Sequence, residues 1–416
     1  MCGIVGYVGE NSASPILIDG LKKLEYRGYD SAGIAVSENG KTDVVKTKGR
    51  IKNLEEKLEE VGGLSGTVGI GHTRWATHGA PTDVNAHPHK GGNGRITLVH
   101  NGIIENYIEL KTMLQKGGYV FVSETDTEVL AHLFDYYYKG DLLDAMVNVM
   151  KTVRGSYAVA ILADDKPGTI IAARKDSPLI VGLGDGENFL ASDIPAVLKY
   201  TRDCYLLEDN QIAVLTKDNV TLYDTDKNVV KKDVYHVTWD VEAAEKCGYE
   251  HFMLKEIHEQ PAAITATVSP RVENGMPDLR IPELSDEKLR SIKNIHLVAC
   301  GTAMHAGMVG KTAIERLARV PAEVDIASEF RYRDPILNPN DLVIIISQSG
   351  ETSDTLAALK LAKSRGVPVL AIVNVVGSSI ARAADYVLYT YAGPEIAVAS
   401  TKAYICLLYT SPSPRD

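Results

Sequence analysis

The chain is poor in cysteine, and none of its cysteines are closely paired. Five are scattered over 416 residues, at Cys2, Cys204, Cys247, Cys300 and Cys406. This spacing argues against a disulfide framework and fits free thiols in a reducing compartment better. Positive charge is also in deficit, with a formal net charge of −10, which argues against a nucleic-acid or anionic-membrane partner. No apolar run approaches the roughly 18 residues of a membrane-spanning helix. No basic segment followed by an apolar one opens the chain, so the expected location is the cytoplasm, away from membranes. Five histidines lie between residues 72 and 100, but they lack HxxxH spacing and flanking cysteine pairs, so neither a metal nor another cofactor is expected.

What is present is ordinary globular composition, 45% hydrophobic and 24% charged, in a chain too long for one core. Residues 1–240 alternate short apolar runs with helical periodicity. The runs at Gly33–Val36, Val68–Gly71, Ile96–Val99 and Ser156–Leu162 predict strands. Pro15–Leu24, Tyr107–Leu114, Thr125–Tyr138 and Leu142–Val153 predict helices. Turns such as Asp164-Asp165-Lys166-Pro167-Gly168 predict antiparallel sheets with helices outside. Residues 241–285 carry a helix-like stretch, Glu250–Ala266, and a Pro-bearing segment, Pro270–Pro282, and are expected to be a linker. From 286 to 405, near-continuous apolar strands alternate with helices, which predicts a doubly wound parallel sheet. Residues 406–416 end in Ser411-Pro412-Ser413-Pro414. They are expected to form no closing helix and to be foreign to the fold, with the native chain continuing differently.

The residue richest in chemistry is Cys2, in Met1-Cys2-Gly3-Ile4-Val5-Gly6-Tyr7. Removal of Met1 would put an α-amine on the carbon that bears the thiol's methylene. The two groups titrate near ~8 and ~8.5, so the amine can take the thiol proton at little cost. A thiolate attacking an amide also needs donors for the developing oxyanion, which the Asn101 side chain and the Gly102 N–H can supply. A free amino acid needs a guanidinium for its carboxylate and a carboxylate for its ammonium. Arg74 and Asp126 fit those roles. Helix capping at Thr125 or Asp126, and an ordinary turn at Asn101-Gly102, are the plainer readings of the same residues.

Five blocks resemble the N-terminal-nucleophile glutamine amidotransferases: Cys2-Gly3-Ile4-Val5-Gly6, Tyr26-Arg27-Gly28-Tyr29-Asp30-Ser31, His72-Thr73-Arg74-Trp75-Ala76-Thr77-His78-Gly79, His100-Asn101-Gly102 and Thr125-Asp126-Thr127-Glu128. Their order and spacing are similar to the glutaminase domain of the glutamine–fructose-6-phosphate aminotransferase family. The resemblance implies an αββα sandwich with Cys2 as nucleophile and Asn101 with Gly102 as oxyanion hole. It implies L-glutamine bound by Arg74, Thr77, His78 and Asp126, with Trp75 on a mobile lid, and ammonia released through a γ-glutamyl thioester.

Two strand-to-helix turns follow, at Cys300-Gly301-Thr302-Ala303 and Ser347-Gln348-Ser349-Gly350-Glu351-Thr352. Hydroxyl residues at helix N-termini beyond parallel strands suit a phosphate, although simple capping gives the same residue types. The second string resembles the phosphate loop of sugar isomerase (SIS) domains, and Ala397-Val398-Ala399-Ser400-Thr401-Lys402-Ala403 resembles a later block of them. The implied partner is fructose 6-phosphate, held by Thr302, Ser347, Gln348, Ser349 and Thr352 with Ser400 nearby. Glu351 would shape the loop, and Cys300 is expected to be buried. The family carries a second SIS domain with further reacting residues, which this chain does not include. The resemblance also implies a homodimer at full length. Two other readings compete, a phosphoribosyl amidotransferase sharing the nucleophile domain and a sugar-phosphate sensor built on one SIS domain. The Ser-Gln-Ser-Gly loop argues against the first and the N-terminal blocks against the second.

Overall fold

Strands in the first 240 residues show little apolar–polar alternation because both faces of their sheets are covered. Gly3–Val8, Val68–Arg74 and most of Gly155–Ala163 are buried along their length. In the computed structural model, which describes residues 2–76, 79–237, 247–397 and 399–410, the chain divides into two compact units, Met1–Val241 and Glu242–Asp416.

The first unit stacks two antiparallel sheets. One has eight strands in the order Tyr235–His236, Asp203–Leu206, Ile180–Leu183, Asn188–Ala191, Gly3–Val8, Val68–Arg74, Ser31–Glu38, Lys41–Lys48. The other has six, in the order Val220–Tyr223, Ile212–Leu215, Ile170–Lys175, Gly155–Ala163, Ile96–Ile104, His89–Gly91. Ile4, Val8 and Ile70 meet Val99, Ala160 and Leu162 between the sheets. Helices Ala13–Leu24 and Ile51–Glu60 cover the outer face of the first sheet through Leu17, Leu21, Leu54 and Leu58. Helices Tyr107–Lys116, Asp126–Tyr137 and Leu142–Thr152 cover the second through Leu110, Leu130, Phe134 and Met146. Each fully buried leucine contributes roughly 1.5–3 kcal/mol, so both outer layers are firmly attached. This is the expected αββα sandwich. It places the start of the chain in a central strand rather than on an edge.

Two segments expected as loops are strand. His72, Thr73 and Arg74 end the strand Val68–Arg74, and His100, Asn101 and Gly102 lie inside Ile96–Ile104. Pairing continues past Val99 to Ile104, opposite Gly155. Gly102 makes that continuation possible. Its φ is +126°, and a Cβ there would come within 2.1 Å of the Ser156 carbonyl oxygen, so only glycine admits so close an approach.

The second unit holds a five-stranded parallel sheet in the order Ala322–Ile326, Asn294–Ala299, Asp341–Ser347, Val369–Val373, Tyr386–Tyr389. Helix Gly301–Ala313 packs with Leu297, Ile344 and Leu370 on one face. Ala327–Tyr332, Ser353–Ser364 and Ser379–Ala383 pack with Val343, Ile345 and Val369 on the other. The doubly wound expectation stands.

The ends of this unit differ from the sequence reading. Much of the expected linker is folded into the unit: helix Phe252–Val268 packs through Ala263 against Ala403 and Cys406, and Leu279, Ile281 and Leu284 join the core. The expected foreign tail begins as helix, since Lys402–Thr410 is helical with Cys406 and Leu407 buried. Prolines at 412 and 414 stop a helix only where they stand, which leaves the preceding turns free to pack. Residues 411–416 lie outside the described residues.

Candidate active site

Cys2 leaves the open end of the strand Gly3–Val8, whose partner runs Gly3 opposite Thr73 and Ile4 opposite His72. That register brings the thiol to the end of Val68–Arg74. The half-buried Cys2 accepts a hydrogen bond at Sγ from the Trp75 backbone N–H at 3.3 Å. Burial pushes the thiol up from its ordinary value, and the Trp75 N–H and the Arg74 guanidinium oppose that rise.

The side chains expected around it arrive from different elements. Arg74 is buried, and its guanidinium donates to the carbonyls of Gly79 (3.1 Å) and Ala80 (3.5 Å). Asp126 opens helix Asp126–Tyr137 and accepts from the Ile104 N–H at 2.9 Å through Oδ2. Thr125 caps that helix, its hydroxyl accepting from the Glu128 N–H. Burial alone would raise the Glu128 carboxyl, but His132, the N–H groups of Val122 and Ser123 and the Ser123 hydroxyl hold it at about 2. Thr125 rather than Asp126 is therefore the capping residue, and Asp126 faces the strand end. The Asn101 side-chain Nδ2 donates to the Cys2 carbonyl oxygen at 3.0 Å.

The Arg27–Ser31 block, to which sequence reasoning assigned no role, clamps the far end of the site. Asp30 donates its N–H to the Arg74 carbonyl (3.0 Å) and accepts from the Ala76 N–H (2.8 Å). The ring of Tyr29 meets that of the exposed Trp75 edge-on at 5.5 Å. At Gly28 a Cβ would stand 2.6 Å from the Arg74 carbonyl carbon, so this approach also requires glycine. Thr77 and His78 lie outside the described residues.

His72, His87, His89 and His100 are buried, and desolvation holds all four imidazoles below their ordinary range. Among the described residues, no group of three or more His, Cys, Asp or Glu could hold a metal ion, and no helix is long and apolar enough to cross a membrane.

In the second unit, Asn294–Ala299 and Asp341–Ser347 are parallel neighbours, with Ala299 opposite Ile346. The chain leaves the first of these for the sheet's near edge and the second for its far side, so the turns at Cys300–Thr302 and Ser347–Thr352 flank the topological switch point, where ligands bind in such sheets. Ser347 Oγ accepts from the Gly350 N–H (3.1 Å) and Ser349 Oγ from the Glu351 N–H (3.2 Å). Glu351 accepts from the Ser379 N–H at 2.8 Å, as a loop-shaping residue should. The capping explanation fails at both helix starts, since neither Cys300 nor Thr352 makes a side-chain cap bond. Thr302 is exposed on the first turn, and Gln348 and Thr352 are half-buried. Cys300 is half-buried rather than buried and lies 3.7 Å from the Thr355 hydroxyl. It opens a helix, where the sheet no longer encloses it.

Ser400 belongs to a segment held by carboxylates of helix Phe252–Val268 and by its own Glu395. The Ser400 and Thr401 hydroxyls are buried without a hydrogen-bond partner. Glu256 accepts from the N–H groups of Ile396 (2.6 Å) and Ala397 (3.0 Å), and Glu395 from those of Thr401 (2.8 Å) and Ala403 (3.1 Å). Buried Lys402 pairs with Glu259 at 2.6 Å. Glu256 and Glu259, one turn apart on a helix, were the available sequence signal.

Two facing antiparallel sheets, with a cysteine at the open end of a central first strand, define the first unit as an N-terminal-nucleophile amidotransferase fold, and the second is a SIS-type parallel sheet. Residues 72–199 match the glutamine amidotransferase domain family and residues 288–409 the SIS domain family. The chain is 61% identical over 406 residues to the glutamine–fructose-6-phosphate aminotransferase (isomerizing) of Clostridium tetani, covering 97% of this chain and 66% of that protein. It is 58% identical over 412 residues to that of Clostridium acetobutylicum, covering 99% and 67%. The chain therefore belongs to the glutamine–fructose-6-phosphate aminotransferase (isomerizing) family, and it spans about two thirds of the length of these relatives. A solved glutamine phosphoribosylpyrophosphate amidotransferase from B. subtilis covers 98% of this chain and 92% of its own at 18% identity and TM-score 0.50. That likeness is one of fold.

Proposed function

We propose that this chain carries the glutaminase and the first sugar-phosphate unit of an enzyme that makes glucosamine 6-phosphate from glutamine and fructose 6-phosphate. Once Met1 is removed, the α-amine of Cys2 takes the thiol proton. The buried histidines are poor candidates for that task, since burial holds all of them below their ordinary range. Arg74 binds the glutamine carboxylate and Asp126 its ammonium, Thr77 and His78 are further glutamine-binding residues, and Trp75 belongs to a lid. Sγ adds to the amide carbon, and the oxyanion is met by Asn101 Nδ2 and the Gly102 N–H. Collapse expels the amide nitrogen as ammonia with the proton from the α-amine. Water then adds to the thioester, releasing glutamate and restoring the thiol. Ammonia passes to fructose 6-phosphate bound by Thr302, Ser347, Gln348, Ser349, Thr352 and Ser400. Glutamine hydrolysis is the step that the residues gathered around Cys2 in the first unit account for directly. We also place the protein in the cytoplasm and, at full length, in a homodimer.

The observation that carries this reading is the 3.0 Å hydrogen bond from Asn101 Nδ2 to the carbonyl of Cys2, which sets a side-chain donor beside the thiol. Cys2→Ala is expected to abolish ammonia release from glutamine while leaving the melting temperature unchanged. Ammonia release at the parent rate would overturn the assignment.

A further inference from the structure

We infer that His72 is a positioning residue for the oxyanion donor, its Nε2–H holding the Asn101 amide with Nδ2 turned toward Cys2. The inference rests on the thiol mechanism proposed above and extends it by one residue.

The two ends of an asparagine amide are nearly the same size, so the side chain can sit either way round, and only one way presents a donor. His72 Nε2 lies 3.0 Å from the His100 carbonyl oxygen and 3.0 Å from Asn101 Oδ1. A backbone carbonyl can only accept, so Nε2 must carry the proton. A donor at Nε2 then requires the oxygen end of the Asn101 amide to face it. At the other end, Nδ2 lies 3.0 Å from the Cys2 carbonyl oxygen, which also can only accept. The flipped amide would set donor against donor at His72 and acceptor against acceptor at Cys2. Both hydrogen bonds would be lost, and buried polar groups would be left unsatisfied. Two acceptor-only carbonyls, on residues 98 positions apart, therefore leave one consistent arrangement. It spends one Nδ2 hydrogen on the Cys2 carbonyl and keeps the second for the substrate oxyanion.

The imidazole is suited to this task rather than to proton transfer. His72 is fully buried, and its Nδ1 has no hydrogen-bond partner. A proton on Nδ1 would be an orphaned buried donor, so the neutral Nε2–H tautomer is favoured. Desolvation holds the ring at about 3, below any working pH. The His87 ring stacks on it at 4.0 Å and 26°, which fixes its plane. The sulfur's described hydrogen-bond partner is the Trp75 backbone, so His72 acts through Asn101 rather than on the thiol.

The test is steady-state glutamine hydrolysis by His72→Phe, His72→Gln, Asn101→Ala and the His72→Phe/Asn101→Ala double variant. Phenylalanine keeps the ring and its stacking without the donor, whereas glutamine offers an amide N–H near the place of Nε2. His72→Phe is expected to lower kcat by about 10²-fold, as loss of an oxyanion donor does. The glutamine KM should move by no more than about threefold, because ground-state binding through Arg74 and Asp126 is untouched. His72→Gln should recover most of kcat, and the double variant should be no slower than Asn101→Ala. Parent-level kcat in His72→Phe, a loss expressed in KM, or multiplied losses in the double variant would each overturn the inference. If His72→Phe does not fold, the ¹⁵N shifts of the His72 ring in the parent protein decide, with protonation at Nδ1 instead of Nε2 overturning it. Cys2→Ala that retains activity would remove the underlying mechanism. Cys2→Ala that is inactive beside a fully active His72→Phe would remove only this placement.

Discussion

The two units build their candidate sites in opposite ways. In the first, side chains from distant segments lock one another: Asn101 to the Cys2 carbonyl and to His72, Asp126 to the Ile104 N–H, and Asp30 to both sides of Trp75. In the second, the loop is held by short-range bonds, such as Ser347 Oγ with the Gly350 N–H, and by Glu351 with Ser379. Breaking an amide requires donors aimed at one developing oxyanion, with little tolerance for displacement. Holding a phosphate requires only several N–H and hydroxyl groups pointing the same way, which parallel strands deliver at their carboxyl ends. The first site is therefore brittle and the second tolerant.

A matched pair of glycines tests that contrast most severely. Gly102 and Gly301 both have positive φ, +126° and +59°, but a Cβ at Gly102 meets the Ser156 oxygen at 2.1 Å whereas nothing lies within 4 Å at Gly301. Gly102→Ala is expected to cut glutaminase kcat by about 10²-fold or more and to lower the melting temperature of the first unit. Gly301→Ala should cost only about 1–2 kcal/mol in the second unit and leave glutaminase kcat intact. Equal and small effects in both would erase the distinction.

Arg74→Lys comes next. Replacing a planar, two-pronged donor with a point charge should raise the glutamine KM by about 10- to 100-fold, the worth of a charged hydrogen bond. Substrate titration of ammonia release checks it, and an unchanged KM would move Arg74 out of the site.

The smallest effect concerns the helix that carries Asp126. The Glu128 carboxyl is held at about 2, below its ordinary 4.5. A depressed carboxyl stabilises the folded state above its unfolded-state value, and that contribution is lost as pH falls from there through about 2. The first unit should accordingly lose stability as pH drops between about 4.5 and 2. Glu128→Gln should melt earlier at pH 7 and show a shallower fall in that window. Identical melting-against-pH curves for parent and variant would show that the clamp contributes nothing.

Much of this was legible in the sequence, and the exceptions share a cause. The second unit's parallel sheet was legible because parallel strands buried on both faces are continuous apolar runs, as in Leu342-Val343-Ile344-Ile345-Ile346. The strand Lys41–Lys48 and helix Ile51–Glu60 escaped notice. The first is a partly exposed edge with few apolar residues, and the second buries only Ile51, Leu54 and Leu58. Asn101-Gly102 read as a turn because that dipeptide usually makes one; here long-range pairing with Gly155–Ala163 overrides the local preference. Site residue types were visible as motifs, but the relation of His72 to Asn101 depends on how the two sheets face each other, which no local pattern records. The helix Lys402–Thr410 was masked by the prolines that follow it.

The central claim is that Cys2, with its own amine as base, is the nucleophile of the first unit. It is tested most directly by treating the protein with a glutamine analogue bearing an electrophile in place of the side-chain amide and mapping the adduct by mass spectrometry. A single adduct on the peptide that begins at Cys2, with Met1 absent and ammonia release lost in step with labelling, is the predicted result. Inactivation with the adduct on Cys300 or another residue, or full labelling of Cys2 with activity unchanged, would contradict it.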